Sequence, residues 1–134
     1  MAALLIIGSV FAGLAALIHV YIWVLESILW TRESTRRTFG IPTVEEAETQ
    51  RTLAYNQGFY NLFLAIGVAV GVVLIWTDGL RPVGLTLALF GTLSMLLAAV
   101  VLVSSGPGRL RSAATQGTAP LLAAVFLLAG ILAG

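Results

Sequence analysis

The side chains with chemistry to offer are few and concentrated. Tyr55-Asn56-Gln57-Gly58-Phe59-Tyr60-Asn61 packs carboxamides and phenols together just before the apolar run Leu62 to Trp76. Upstream, His19, Trp23 and Glu26 follow one another at helical spacing, and downstream Gln116 stands near the start of the last apolar run. Carboxamides donate and accept hydrogen bonds without carrying charge. Imidazole exchanges protons near neutrality, and a carboxyl withdrawn from water can act as a proton carrier or general acid. Such a set suits a small molecule that is uncharged or weakly acidic.

Each group also has a plainer reading. His19 can serve as a hydrogen bonder between helices. Glu26 can pair with Arg32 or Arg51 near the membrane surface. The amides can join helices, Trp23 and Trp30 can anchor packing, and Tyr21 points away from His19 toward another helix or subunit. The lone histidine makes no metal or haem set, because no second His, Cys or Met stands at ligand spacing. No metal and no cofactor are expected.

Composition sets the solvent. The chain has 134 residues, 59% of them apolar and 10% charged, and a mean hydropathy of +1.01. A soluble domain carries about a quarter charged residues, so the lipid bilayer is the expected partner. A net charge of +1 with scattered arginines leaves no footprint for nucleic acid. With no cysteine, disulfides and thiolate chemistry are excluded.

The apolar runs predict an all-α, four-transmembrane-helix antiparallel bundle, a single domain over the whole chain. Its helices cover about Ala2 to Trp30, Val44 to Trp76, Pro82 to Ser104 and Gly117 to Ala133. The first is read as a membrane helix and not a signal peptide, since no basic stretch precedes it and its apolar run is too long. Thr31 to Gln50 is read as a solvated connector, with a turn at Gly40 and Pro42. Thr43 and Glu46 stand at capping-box spacing before the second helix. Pro82 and Pro120 are each expected in the first turn of a helix.

Arginine bias gives the orientation. Arg32, Arg36, Arg37, Arg51, Arg109 and Arg111 share one face of the membrane, against Arg81 alone on the other. Basic loops stay in the cytoplasm, so both termini should face outward from a bacterial cytoplasmic (inner) membrane. In this frame His19 and Asn61 come to similar depth, with Glu26 near the level of Asn56 and Gln57. At about 100° per residue, Asn56, Gln57, Tyr60 and Asn61 fall within an arc of roughly 140°. Ser104, Ser105, Gln116 and Thr118 approach from the same side. The expectation is a buried polar site in the cytoplasmic half of the bundle, for which His19, Trp23, Glu26, Asn56, Gln57, Tyr60, Asn61 and Gln116 are the ligand-binding candidates. His19 and Glu26 are the catalytic candidates.

Several segments also resemble a known family. His19-x-Tyr21-Ile22-x-x-Leu25-Glu26, Trp30-Thr31, Asn56-Gln57-Gly58-x-Tyr60-Asn61-x-Phe63-Leu64-Ala65 and Gln116-Gly117-x-x-Pro120 are similar to the small bacterial membrane proteins called domain of unknown function 1304. The resemblance implies a four-helix integral membrane protein and no particular reaction. Among its motif positions are His19, Glu26, Asn56, Gln57, Tyr60, Asn61 and Gln116. Three functions stand as alternatives. One is proton-linked binding or transport of a small molecule, which in so small a chain calls for a homo-oligomer. Another is an acid–base enzyme, isomerase-like, acting on a lipophilic substrate. The third is an accessory subunit of a membrane complex.

Overall fold

Inside a bilayer a backbone must satisfy its own hydrogen bonds, which leaves the helix as the default for uninterrupted apolar sequence. The computed structural model describes residues 1–134. It comprises α1 (Ala2–Trp23), a π-helical segment (Val24–Ile28) that continues it, α2 (Glu33–Phe39), α3 (Val44–Ile75), α4 (Arg81–Ser104) and α5 (Leu110–Leu132). Four helical stretches are long and apolar enough to cross a membrane, and the shortest has 23 residues. At about 1.5 Å per residue even that one exceeds the roughly 30 Å hydrocarbon core. The protein is an all-α, four-span membrane bundle.

Going round the bundle the order is α1, α3, α4, α5, with α1 and α4 barely touching across the diagonal. The interfaces close on small residues. A Cβ added to Gly8 would lie 2.8 Å from Leu127 Cγ, and one added to Gly71 would lie 2.6 Å from the Ala88 nitrogen. At Gly117 the nearest atom would be Ala99 Cβ, 2.9 Å away. The central cluster is built mainly of alanine, with Val68 and Met95 filling the remaining space. Helices without hydrophobic drive between them associate by such close backbone approach.

Local chemistry explains the connections. The Thr43 hydroxyl accepts from the Glu46 N–H at 3.1 Å, capping α3. Pro82 sits in the first turn of α4. Gly40, at φ 71°, ends α2 in the left-handed region, and the Ile41 N–H reaches the Arg36 carbonyl at 2.8 Å.

Three features differ from the sequence expectation. The connector after Trp30 contains α2, whose Thr35 is buried and whose Arg36 donates to the carbonyls of Thr31 and Pro42. The α1 helix does not run evenly to Trp30, because it widens into the π segment and turns at Leu29. Finally, α5 starts at Leu110, well before Gly117, so Pro120 lies inside the helix and not in its first turn. Membrane helices tolerate this because neighbouring groups re-satisfy the backbone. Pro120 has no N–H, so the Gln116 carbonyl loses its usual partner four residues on.

Candidate functional site

The π segment sets the geometry of the polar centre. An extra residue in the turn rotates the side chains beyond it, and here Glu26 and Ser27 are brought against α3. Glu26 is buried, and its Oε2 accepts from Asn61 Nδ2 at 2.9 Å. The Asn61 amide nitrogen also donates to the Gln57 carbonyl at 3.2 Å, so both its hydrogens are used. Ser27 Oγ donates to the Tyr55 carbonyl at 3.0 Å. Gly58 makes this approach feasible, since a Cβ there would meet Ser27 Oγ and lie 3.1 Å from Glu26 Cβ. Hydrogen bonds between membrane helices contribute about 0.6–2 kcal/mol each, so this junction both orients Glu26 and ties α1 to α3.

His19 lies two turns deeper along α1, about 10 Å from Glu26. It is 2% exposed, and its Nδ1–H donates to the Ala15 carbonyl at 2.9 Å. That bond fixes the tautomer and leaves Nε2 as an acceptor without a protein partner. Gln116 stands opposite: stepping eleven residues along each helix from the Gly8–Leu127 contact leads to His19 on α1 and Gln116 on α5. Gln116 is partly buried, and its side chain makes no hydrogen bond.

Trp23 lies between His19 and Glu26 in sequence and meets the edge of Phe59 at 6.0 Å and 74°. Its indole Nε1–H is shut away from solvent and has no partner. A buried donor in that state costs about 1–3 kcal/mol, and native proteins carry few of them.

Several candidates lie elsewhere than expected. Asn56, Gln57 and Tyr60 are exposed on the outside of α3 and do not join Glu26. The inward face of α3 is taken by Ala54, Gly58, Ala65, Val68 and Gly71, and helical periodicity turns those three away. The Gly71–Ala88 contact sets the α3–α4 register, which puts Tyr55 level with Ser104, where α4 ends. Asn56 and Gln57 therefore sit at the bundle's end, where polar groups can find water and lipid headgroups. Asn61 pairs with Glu26 and not at the depth of His19. Glu26 pairs with neither arginine named for it, since Arg51 faces Glu48 at 3.3 Å and Arg32 makes no ion pair. Ser104, Ser105 and Thr118 each return their hydroxyl to a carbonyl of their own helix.

Other residues carry more of the site than their types suggest. Ser27, Gly58 and Phe59 shape it, yet a serine, a glycine and a phenylalanine in an apolar run are ordinary membrane-helix residues. Trp30 acts structurally, its Nε1 donating to the Ala47 carbonyl at 2.9 Å. Tyr21 is exposed, on the face away from His19. No three or more His, Cys, Asp or Glu side chains converge as a metal-binding group.

Comparison with known proteins gives one relationship. A family model described as "Protein of unknown function (DUF1304)" matches residues 13–128, a stretch that includes every polar residue of this centre. Neither the curated proteins nor the solved structures compared with the chain give a match.

Proposed function

We propose that this chain, which belongs to the DUF1304 family, binds a small uncharged or weakly acidic molecule between α1 and α3, with Glu26 as its proton-exchanging group. One observation carries the reading: the Glu26 carboxyl is buried among membrane helices, and Asn61 is the sole side chain that hydrogen-bonds it. Glu26 lies at the depth of Gly58, near the bundle's end, but packing shuts it away from solvent. An ionisable group buried in that way is expensive and is ordinarily kept for function. Glu26 Oε1, Asn61 Oδ1 and His19 Nε2 are left without protein donors. Binding coupled to proton movement, and transport across a bacterial cytoplasmic membrane, accord with this chemistry. The arginine-rich end would face the cytoplasm.

The test is mass spectrometry of small molecules retained by detergent-purified wild type, Glu26→Gln, Asn61→Leu and Asn56→Ala. A species held by wild type and Asn56→Ala, and lost from the other two, is expected. Identical inventories in all four would sink the proposal.

A second reading has its own support. Tyr55 and Tyr60 are more than half exposed, and Asn56 and Gln57 share the outer surface of α3. That polar strip suits assembly with another membrane protein or with a second copy. Crosslinking from cysteines placed at Asn56 and Tyr60 in native membranes would reveal such a partner, and the absence of any crosslinked species would remove this reading.

A further inference from the structure

We infer that the molecule bound at this centre carries a hydroxyl group on an apolar body, and that the Trp23 indole N–H is what selects it. The inference rests on the site proposed above and names its ligand class. Trp23 Nε1 is a buried donor with no partner, and it needs an acceptor. Glu26 lies three residues on, where its Oε1 makes no hydrogen bond because Asn61 engages Oε2 alone. One turn in the other direction, His19 Nε2 is an acceptor, since Nδ1 is committed to the Ala15 carbonyl.

A ligand that accepts from the indole and donates to a carboxyl oxygen or an imidazole nitrogen would satisfy these open groups together. A carbonyl oxygen accepts only, and an ammonium donates only. A hydroxyl does both from a single atom. Around this polar point the surroundings are aromatic: Trp23 meets Phe59, which in turn lies 5.0 Å from Tyr55 and 6.1 Å from Phe63. Phe63, one turn deeper than Phe59, is exposed on the membrane-facing side, so an apolar body can rest there in lipid while its hydroxyl points inward. The class is a neutral, membrane-soluble alcohol or phenol.

The test compares 4-nonylphenol with nonylbenzene, which differ only in the hydroxyl. Binding to the protein in lipid nanodiscs is measured for wild type, Trp23→Phe and Trp76→Phe. Wild type and Trp76→Phe should hold the phenol about tenfold more tightly than the hydrocarbon, the scale of one hydrogen bond to a buried donor. Trp23→Phe, which keeps an aromatic ring beside Phe59 and the carboxyl and imidazole acceptors, should lose most of that preference. Equal affinities in wild type, or an undiminished preference in Trp23→Phe, would overturn the inference. If either occurs while Glu26→Gln still changes the retained species, the site stands and only the hydroxyl class falls.

Discussion

Glu26 on the π segment and Asn61 on α3 are joined by a 2.9 Å hydrogen bond across 35 positions of sequence. It is the side-chain bond that ties the polar centre together, and it leaves the carboxyl with one oxygen engaged and one open. Removing Asn61 would strand a buried carboxyl, whereas Glu26→Gln keeps an acceptor facing Asn61. Asn61→Leu should therefore destabilise the bundle by about 1–3 kcal/mol, and Glu26→Gln by clearly less. Unfolding in mixed detergent micelles would measure both. Equal losses would show that Asn61 does not serve Glu26.

Gly58 is the second determinant of the junction. Gly58→Ala would push a methyl into Ser27 Oγ and against the Ser27 nitrogen, 3.2 Å away. Overpacking of this kind costs about 1–3 kcal/mol. Gly67 has nothing within 4 Å of its virtual Cβ, so Gly67→Ala should be neutral or stabilising through helix propensity. A thermal melt of the two variants, side by side, separates steric closure from the general cost of altering α3.

Topology is open to direct test because the chain has no native cysteine. If the arginine-rich loops lie in the cytoplasm, Asp78→Cys should react with a membrane-impermeant maleimide added to intact spheroplasts. Ser34→Cys should react only after the membrane is broken. The reverse pattern would place both termini in the cytoplasm.

The start of α3 depends on Thr43, whose hydroxyl holds the Glu46 N–H. Thr43→Ala should cost about 1 kcal/mol and Thr43→Ser very little. Hydrogen exchange at Glu45 and Glu46 would report this locally, since fraying there need not disturb the spans.

The spans are legible in the sequence because lipid imposes one simple rule on them, length without charge. The Thr43 cap and the Pro82 start are equally readable, each being set by neighbours within one turn. Facing is harder. Polarity alone groups Asn56, Gln57 and Tyr60 with Asn61, on the premise that polar groups seek the interior. The small residues Ala54, Gly58 and Ala65 decide the matter instead, and of the set only Asn61 turns inward. The π turn at Val24–Ile28 has no sequence signature, so spacing alone does not reveal the partner of Glu26. Pro120 misleads for a related reason: in water it would mark a helix start, whereas between packed spans it lies within α5.

The alanine-built centre has a consequence for how the molecule responds to change. Its bulky side chains, such as Phe63, Phe90, Leu97 and Val101, lie on the perimeter, whereas Ala12, Ala15, Ala65 and Ala123 lie at the middle. In the central cluster small residues thus take most of the axis, with Val68 and Met95 between them, and many large side chains lie at the rim. Trimming Leu97 should be nearly silent and enlarging Ala65 ruinous, whereas truncation should be felt mainly at the few large buried side chains such as Met95 and Leu127.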